Sequence, residues 1–292
     1  MLRLGFFSNI THAAALCGVQ SGRFAQALEG TRLRPQLFNA GPAAMEALLA
    51  GSIDLAYVGP THLLIAWNAA RRRSMKLLCG ASSGGASLVV RAGSEIHCAA
   101  DFSGKTIATA QYGNTQDLAA RRYLSGAGLA PSDRGGTVEL LHITNADILA
   151  QFQRGRLDAA WVSEPWVSRL INEARGVMLL DERDLWPQRR FASTLLVVRE
   201  KYLALVPSVV GRFVRAHRAE IQRINSDEAE AKSLVQTAIR TYAGRPLSAS
   251  SLRGAWSRTE FTDDVMRSSI QSQASTAMAL GFISTDNVQG LF

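Results

Sequence analysis

The chain has 292 residues, of which 47% are hydrophobic and 19% are charged. This length predicts one large or two medium domains, and the composition excludes wholesale disorder. No apolar run approaches the roughly 20 residues that a membrane-spanning helix needs. The chain begins directly with a strand-like segment, so either the protein is cytoplasmic or an export signal has been removed.

The sequence carries 32 Lys and Arg against 24 Asp and Glu, a formal net charge of +8. A basic balance suggests an anionic partner. The arginines are dispersed, however, apart from the run Arg71-Arg72-Arg73, which we expect to be a solvated helix end. Because no basic stripe with interleaved aromatic residues occurs, nucleic-acid binding is disfavoured.

The first part of the chain alternates short apolar strands with amphipathic helices, which is typical of a parallel α/β sheet. Strands are predicted at residues 2–7, 35–38, 53–58 and 75–79, and helices at residues 11–28, 42–50 and 60–70. Two of these helices begin with a proline, a residue favoured at the first helical position. Residues 87–91 then form an extended segment that leaves this unit.

A second alternating unit follows. Its strands are predicted at residues 106–110, 138–143, 157–162 and 177–180, and its helices at residues 115–125, 146–153 and 165–174. Residues 193–199 are predicted to form a return strand, and the rest of the chain is predicted to be helical, with a break at 244–246.

Two sequence repeats link the halves. Residues 48–58 are similar to residues 151–162, and residues 8–12 to residues 113–116. In the first pair a helix ends at a glycine, an aspartate follows, and a strand ends in an aromatic residue and valine. The same order of both repeats predicts two similar lobes. Lobe 1 is expected to comprise residues 1–91 and 193–292, with the C-terminal helices, and lobe 2 residues 92–192.

Small hydrogen-bonding residues cluster in turns where a predicted strand meets a helix. Carboxyl ends of parallel strands share one edge of a sheet, where ligands bind, and helix N-termini at that edge suit an anion. Plain helix capping is the alternative for any single turn. The candidate ligand-binding residues are Asn9, Thr11, His12, Asn39, Gly41, Gly59, Pro60, Ser82, Ser83, Asn114, Thr115, Gln116, Trp161, Glu164 and Trp166.

Within this set, Asn9 and Thr11 occupy the same place in lobe 1 as Asn114 and Thr115 in lobe 2. We expect these four residues to hold an ionised headgroup from equivalent turns, with neutral donors and helix ends in place of a counter-charge.

Residues 80–84 match the G-x-S-x-G pattern of hydrolases. That pattern requires a strand, a turn and then a helix, whereas a strand-like segment follows here. Serine-hydrolase chemistry is therefore disfavoured. We expect instead a flexible Ser/Gly turn, in which Ser82 and Ser83 could donate to a ligand.

Metal and cofactor signatures are missing from the sequence. The five histidines are scattered without paired spacing, and Cys17, Cys79 and Cys98 lack metal-ligand or CxxC spacing. Neither a G-x-G-x-x-G loop nor a Walker loop occurs, which disfavours nucleotide cofactors. We therefore expect no metal and no cofactor. The lack of a catalytic acid/base pair favours a binder over an enzyme.

Aromatic residues lie close to the candidate turns. Tyr57, Trp161 and Trp166 end or follow predicted strands, and Tyr112 precedes the Gly-Asn turn. They either pack in the core or form the apolar wall of a small-molecule site, and the sequence leaves both open. Glu164 is expected to cap the following helix and could also hydrogen-bond a ligand amine or hydroxyl.

These motifs together resemble the nitrate/sulfonate/taurine group of substrate-binding proteins of ABC importers. The resemblance covers about residues 2–220 and is most similar to the aliphatic-sulfonate binders. It rests on Asn9-Ile10-Thr11-His12, Phe38-Asn39-Ala40-Gly41-Pro42, residues 46–54, Tyr57-Val58-Gly59-Pro60, Gly113-Asn114-Thr115-Gln116-Asp117 and residues 160–166.

The resemblance implies an α/β, two-lobed periplasmic-binding-protein fold of type II, in which each lobe is a mostly parallel sheet flanked by helices. It implies a monomer that captures a small organic anion between closing lobes and delivers it to a membrane permease. The implied location is periplasmic, or lipid-anchored outside the inner membrane. Binding of nitrate, taurine or a thiamine precursor remains open, as does an enzyme or sensor on the same fold.

Overall fold

The computed structural model describes residues 1–39, 41–70 and 74–292. The predicted Arg71-Arg72-Arg73 helix end and Ala40 lie outside the described residues. The chain forms two compact units. Unit 1 comprises Met1–Ser83, Phe191–Ser248 and Thr259–Phe292, and unit 2 comprises Gly84–Arg190 and Ala249–Arg258.

Strands and helices alternate through most of the chain. The strands are β1 (Leu2–Phe6), β2 (Leu33–Leu37), β3 (Leu55–Val58), β4 (Met75–Gly84), β5 (Ala86–Arg91), β6 (Thr106–Thr109), β7 (Glu139–His142), β8 (Ala159–Ser163), β9 (Gly176–Asp181), β10 (Ala192–Arg199) and β11 (Thr259–Phe261). The α-helices are α1 (Ala13–Gln20), α2 (Arg23–Ala27), α3 (Gly41–Leu49), α4 (Pro60–Ala69), α5 (Thr115–Gly126), α6 (Asn145–Gln153), α7 (Trp166–Ala174), α8 (Glu200–Leu205), α9 (Pro207–Ser226), α10 (Glu228–Ala243), α11 (Ala249–Ser257) and α12 (Arg267–Ala279).

The two units contain sheets of the same design. In unit 1 the strand order is β11-β4-β10-β3-β1-β2, with β1 parallel to β2 and β3, and β10 antiparallel to β3 and β4. In unit 2 the order is β7-β6-β8-β5-β9, with β6 parallel to β7 and β8, and β5 antiparallel to β8 and β9. Each sheet therefore joins a parallel trio to an antiparallel return strand. The predicted α/β fold is confirmed.

The two sequence repeats occupy equivalent places in these sheets. The first repeat leads into β3 in unit 1 and β8 in unit 2. Each of these is the strand of its parallel trio that pairs with the antiparallel return strand. The glycine that ends each preceding helix has a positive φ, +76° at Gly51 and +68° at Gly155, which a side chain would disfavour. The two repeats therefore form the same supersecondary unit, once in each sheet.

The aspartate in this repeat ties strands together at the sheet edge where the parallel strands begin. In unit 1 the Asp54 carboxylate accepts hydrogen bonds from the Arg3 backbone N–H (3.0 Å) and guanidinium (2.6 Å) and from Arg199 (3.0 Å). The Arg199 N–H in turn donates to the Asp54 carbonyl oxygen (2.9 Å). Three strands, β1, β3 and β10, thus meet at one buried carboxylate.

Asp158 repeats this arrangement more loosely in unit 2. Its carboxylate accepts from the Thr106 N–H (2.9 Å), and the Arg91 N–H donates to its carbonyl oxygen (2.8 Å). The Arg91 guanidinium lies 3.4 Å away, and the Asp158 side chain is 24% exposed, against 1% for Asp54.

The structure differs from the sequence prediction in the segments at residues 11–28 and 80–84. The predicted helix over residues 11–28 is a 3-10 helix, Ile10–His12, followed by α1 and α2, because Gly22 adopts a left-handed conformation (φ +76°) between them. The predicted flexible turn at residues 80–84 is wrong. These residues continue β4, whose bulged pairing with β10 reaches Ser83.

Helix α11 groups with unit 2, whereas the sequence analysis placed all C-terminal helices with the first lobe. Asn172 of α7 donates to Ser251 of α11 (3.1 Å), and Arg258, just after α11, pairs with Glu164 (2.6 Å). The short strand β11, which the sequence analysis did not predict, returns the chain to the sheet of unit 1.

The two repeated aspartates should differ in their contribution to stability. We expect Asp54→Asn to lower the free energy of unfolding at pH 7 by about 3 kcal/mol, because it leaves two guanidinium groups short of a buried partner. We expect Asp158→Asn, the matched control, to cost about 1 kcal/mol. Chemical unfolding of both variants checks this, and equal costs would contradict it.

The Asp54 effect should also depend on pH. Burial alone would raise the pKa of Asp54, but hydrogen bonds from Arg3 and Arg199 outweigh it and hold the pKa below its usual value. The stabilisation is therefore present above the unfolded-state pKa and is lost as the pH falls through the folded-state pKa. The gap between wild type and Asp54→Asn should shrink in acid.

Candidate functional site

The structure places the candidate residues of unit 1 at one edge of its sheet, the edge at which β1, β2 and β3 end. We call this the carboxyl edge. β4 also ends there, because β3 and β4 are both antiparallel to β10. The candidates at this edge are Asn9, Thr11 and His12 after β1, Asn39 and Gly41 after β2, Gly59 and Pro60 after β3, and Ser82 and Ser83 on β4.

His12 is a buried, neutral member of this edge. It is 3% exposed, and its Nδ1 accepts a hydrogen bond from the Phe7 backbone N–H (3.4 Å). An accepting Nδ1 puts the ring proton on Nε2. Burial lowers the pKa of His12 to about 3, so the ring is uncharged at neutral pH. It can therefore offer a neutral N–H donor.

Gly41 and His62 join the second and third turns of the edge. An ideal Cβ on Gly41 would lie 1.9 Å from Cδ2 of His62, so the imidazole lies directly against the Gly41 backbone. Burial lowers the pKa of His62 to about 4, which leaves this ring neutral as well. The sequence analysis did not list His62 as a ligand contact. Its position in the first turn after β3 was the available signal.

The remaining candidates of unit 1 differ in accessibility. Asn9 precedes the 3-10 helix without a side-chain capping bond, Thr11 is 4% exposed, and Asn39 is exposed. Ser82 and Ser83 lie within β4, not in a flexible turn. The hydroxyl of Ser82 bonds that of Ser193 (3.0 Å), and the hydroxyl of Ser83 accepts from the Phe191 N–H (3.2 Å).

The candidates of unit 2 lie at the corresponding edge of its own sheet. Asn114, Thr115 and Gln116 open α5 after β6, whereas Trp161 lies on β8 and Glu164 and Trp166 follow it. Thr115 is 8% exposed, and Gln116 and Trp166 are half-buried. The guanidinium of Arg169 lies over the Trp166 ring at 4.5 Å.

Asn114 caps α5 within a buried charge network. Its Oδ1 accepts from the Asp117 backbone N–H (2.7 Å). The Asp117 carboxylate accepts from the Gly113 N–H (2.8 Å) and the Arg121 guanidinium (3.1 Å), and it is hydrogen-bonded to His142 (3.0 Å). The turn is therefore held rigidly by its own side chains. The capping alternative accounts for the Asn114 oxygen.

Two candidate wall aromatics are core residues. Trp161 is 0% exposed, and its Nε1–H donates to Glu182 (2.8 Å). Tyr57 is also 0% exposed, and its hydroxyl bonds Nδ1 of His217 (2.8 Å), whose Nε2 bonds the Gly80 carbonyl (2.8 Å). Both side chains are thus taken up by internal partners, so neither forms an apolar wall.

Glu164 is likewise satisfied inside unit 2. Its carboxylate accepts from the Ser168 N–H and hydroxyl (both 3.1 Å) and from the Arg258 guanidinium (2.6 Å). Arg258 also donates to the Ser168 hydroxyl (2.6 Å). Glu164 therefore caps the first turn of α7 and is neutralised by Arg258, and a hydrogen bond to a ligand would have to displace one of these partners.

Neither a metal-ligand cluster nor a membrane-spanning helix occurs in the part of the chain that the structure describes. Among the described residues, no group of three or more His, Cys, Asp or Glu side chains is placed to hold a metal ion. Within residues 1–39, 41–70 and 74–292, no helix is both long and apolar enough to cross a lipid bilayer.

The fold is that of the periplasmic binding proteins. The alkanesulfonate-binding protein SsuA of Xanthomonas axonopodis pv. citri, bound to MOPS, superposes with a TM-score of 0.80 at 21% identity, over 98% of this chain and 94% of that one. The nitrate-binding protein NrtA of Synechocystis PCC 6803 gives 0.79 at 15% identity, over 99% and 83%. A Candida albicans protein described as having the generic periplasmic-binding-protein fold gives 0.73 at 12% identity, over 100% and 95%.

The chain belongs to the NMT1-like family, whose model matches residues 1–239. A putative aliphatic sulfonates-binding protein of Escherichia coli is 29% identical over 179 residues, 61% of this chain and 54% of that protein. A putative binding protein of Brucella abortus is 27% identical over 180 residues, 61% and 53%. The chain thus spans about half the length of the curated relatives it matches.

Glu182 should make the stability of the protein depend on pH. Burial raises its pKa to about 7, only partly opposed by the hydrogen bond from Trp161. Because the folded-state pKa is raised, Glu182 stabilises the fold fully at pH values below its unfolded-state pKa, near 4.5. This stabilisation is lost as the pH rises through the folded-state pKa, about 7. The loss should be about 3 kcal/mol, since one pKa unit corresponds to about 1.4 kcal/mol.

Glu182→Gln should remove that dependence. Compared with wild type, the variant should become progressively more stable between pH 5 and 8, as followed by chemical unfolding at each pH. Tryptophan emission of the folded wild type should titrate over the same range, and the variant should not. A difference in stability that stays constant with pH would contradict the assignment.

Proposed function

We propose that this protein is the extracytoplasmic solute-binding protein of an ABC importer and that it captures a small organic anion, an aliphatic sulfonate, between two closing lobes. The observation that carries the proposal is the carboxyl edge of unit 1, where uncharged hydrogen-bond donors lie at helix N-termini that have no acidic residue in the first turn. Such donors suit an anion. Family membership and the likeness to proteins that bind alkanesulfonates, taurine and nitrate support the same class of ligand.

The neutral character of the donors favours a strongly acidic ligand. His12 and His62 are uncharged at neutral pH, and the hydroxyl and amide donors carry no charge. A sulfonate offers three acceptor oxygens to such donors without requiring a buried arginine. Nitrate and taurine have the same acceptor chemistry, and they are the alternatives that a binding experiment must separate.

The role implies further properties. As proposed, the protein acts outside the inner membrane, periplasmic or lipid-anchored, as a monomer without cofactor or metal, and hands its ligand to a membrane permease. An enzyme or sensor on the same fold is less well supported, because the ionisable groups at the two edges are engaged in internal ion pairs or are neutral histidines.

Native mass spectrometry of the purified protein should show a co-purified anion, and calorimetry should rank ligands. We expect butane-1-sulfonate and ethanesulfonate to bind more tightly than taurine, nitrate or a thiamine-type pyrimidine. The correct ligand at a hundredfold excess over Kd should stabilise the fold by about 2.7 kcal/mol. Chelation of metals beforehand should leave affinity unchanged. Binding of the pyrimidine alone would refute the anion assignment.

Closure of the lobes is a separate expectation. Small-angle X-ray scattering should show a smaller radius of gyration when the sulfonate is bound than when it is removed by dialysis. As the control, scattering is measured in the presence of taurine at a concentration too low for it to bind. A bound ligand with an unchanged radius would refute closure while leaving the binding role intact.

A further inference from the structure

We infer that the negative headgroup of the ligand is held by unit 1, at the start of α4, and that the helix ends of unit 2 do not supply the anion contact. This inference rests on the proposed function and deepens it, because it replaces two equivalent half-sites with a single oxyanion site. The ligand class is an oxyanion held by neutral donors.

In unit 2, the helices α5, α6 and α7 each have a carboxylate of the protein at the N-terminus. α5 has Asp117 in its first turn, bonded to the Gly113 N–H, and α6 has Asp147 bonded to its cap Thr144 (2.7 Å). α7 has the Glu164 carboxylate on its Ser168 N–H. A carboxylate at a helix N-terminus uses the free amides and offsets the positive end of the helix dipole. At α5 and α7 these carboxylates are also paired with Arg121 and Arg258, so an anionic ligand would have to compete with an internal anion that is already in place.

The helices of unit 1 show the opposite pattern. In the described part of that unit, α1, α3 and α4, which follow the ends of its parallel strands, have no acidic residue in the first turn. α4 begins at Pro60, and its N-cap residue is Gly59, which has no side chain to cap the helix. The positive end of this helix is therefore not offset by an internal carboxylate.

The first turn of α4 presents uncapped backbone donors. The Leu63 N–H donates to the Gly59 carbonyl (3.3 Å). The two preceding amides, those of Thr61 and His62, belong to the group that a helix leaves without an intrahelical acceptor. The His62 imidazole lies in the same turn, fixed against Gly41.

An unpartnered buried hydroxyl in this turn points to a ligand independently of the helix end. Thr61 is 0% exposed, and its Oγ1 has no hydrogen-bond partner among the described residues. Buried hydroxyls are nearly always bonded, because an unmade hydrogen bond in the interior is costly. The Thr61 hydroxyl is therefore explained if it donates to a ligand oxygen beside the two free amides.

A second such hydroxyl lies alongside. Thr194 on β10 is 0% exposed, and its Oγ1 is also without a partner in the described chain. Leu195 pairs with Val58, so Thr194 stands one step further, next to Gly59, where α4 begins. Two residues with unpartnered buried hydroxyls, Thr61 and Thr194, thus lie beside the start of one helix. The site built by them is uncharged and rich in donors.

The test compares conservative substitutions at the two helix starts in the full chain. Thr61→Val removes only the hydroxyl, Thr61→Ser keeps it, and Thr115→Val makes the same change at α5. The probes are butane-1-sulfonate, nitrate and inorganic sulfate, each titrated by calorimetry. Thermal melts of the ligand-free proteins are measured in parallel.

We expect Thr61→Val to weaken binding of the anion about tenfold or more, the cost of one hydrogen bond to a charged group. We also expect it to raise the melting temperature of the ligand-free protein, because it removes an unpaired buried hydroxyl. A merely structural threonine would not give these opposite signs. Thr61→Ser should stay within about threefold of wild type, and Thr115→Val should lose much less than Thr61→Val.

Each other outcome identifies what fails. If the wild type binds an anion and Thr61→Val binds it equally well, or if Thr115→Val loses more, the headgroup is not at α4 and this inference is overturned while the proposed function stands. If the wild type binds none of the three anions and takes only neutral or cationic compounds, the proposed function falls, and this inference falls with it.

Discussion

A carboxylate at the edge where the parallel strands begin ties neighbouring strands together in each sheet of this protein. Asp54 receives both backbone and guanidinium donors from neighbouring strands, and Asp158 does so at the same point of unit 2. Because the strands are fixed at this end, the turns at their other ends have fixed positions relative to one another. The candidate donors that follow β1, β3, β6 and β8 therefore depend on contacts made at the opposite end of their strands.

The two edges that result have the same topology but different electrostatics. Unit 2 places acidic side chains at the starts of α5, α6 and α7, and two of them, Asp117 and Glu164, are paired with Arg121 and Arg258. In unit 1 the starts of α1 and α4 have no side-chain cap, and buried hydroxyls and neutral histidines lie near them. Internal duplication of a fold thus need not mean duplication of a binding role. One copy can be held rigid by its internal ion pairs, while the other copy remains able to bind the charge of a ligand.

The repeats were readable from the sequence because they are local. A glycine with positive φ, an aspartate three residues later and an apolar strand occupy one short stretch of chain, and their meaning does not depend on distant residues. Most strands and helices were predictable for the same reason. The segment at residues 80–84 was not, because its small residues indicate a turn locally, whereas pairing with β10, over 100 residues away in sequence, makes it a strand.

The site was less predictable because the partners of its residues are also distant in sequence. Tyr57 and Trp161 stand at the ends of strands in a binding-site pattern, but His217 and Glu182 bind them in the core. Thr61 lies in one of the predicted strand-to-helix turns but was not among the predicted ligand-binding residues. It becomes notable only because its burial and its lack of a partner are known together. Whether a polar side chain is satisfied is a property of the packed fold, and no spacing along the chain encodes it.

The position of Arg258 has a consequence for how the two units could be separated. It neutralises Glu164 from a segment that lies beyond the residues matched by the family model, and the described chain passes between the units at four points. Unit 2 is therefore not a contiguous module. A fragment cut from the gene at residues 84–190 would keep its sheet but leave an acid buried without its counterion. For protein engineering, the smallest excisable piece of unit 2 must carry α11 on a linker, as a circular permutant would.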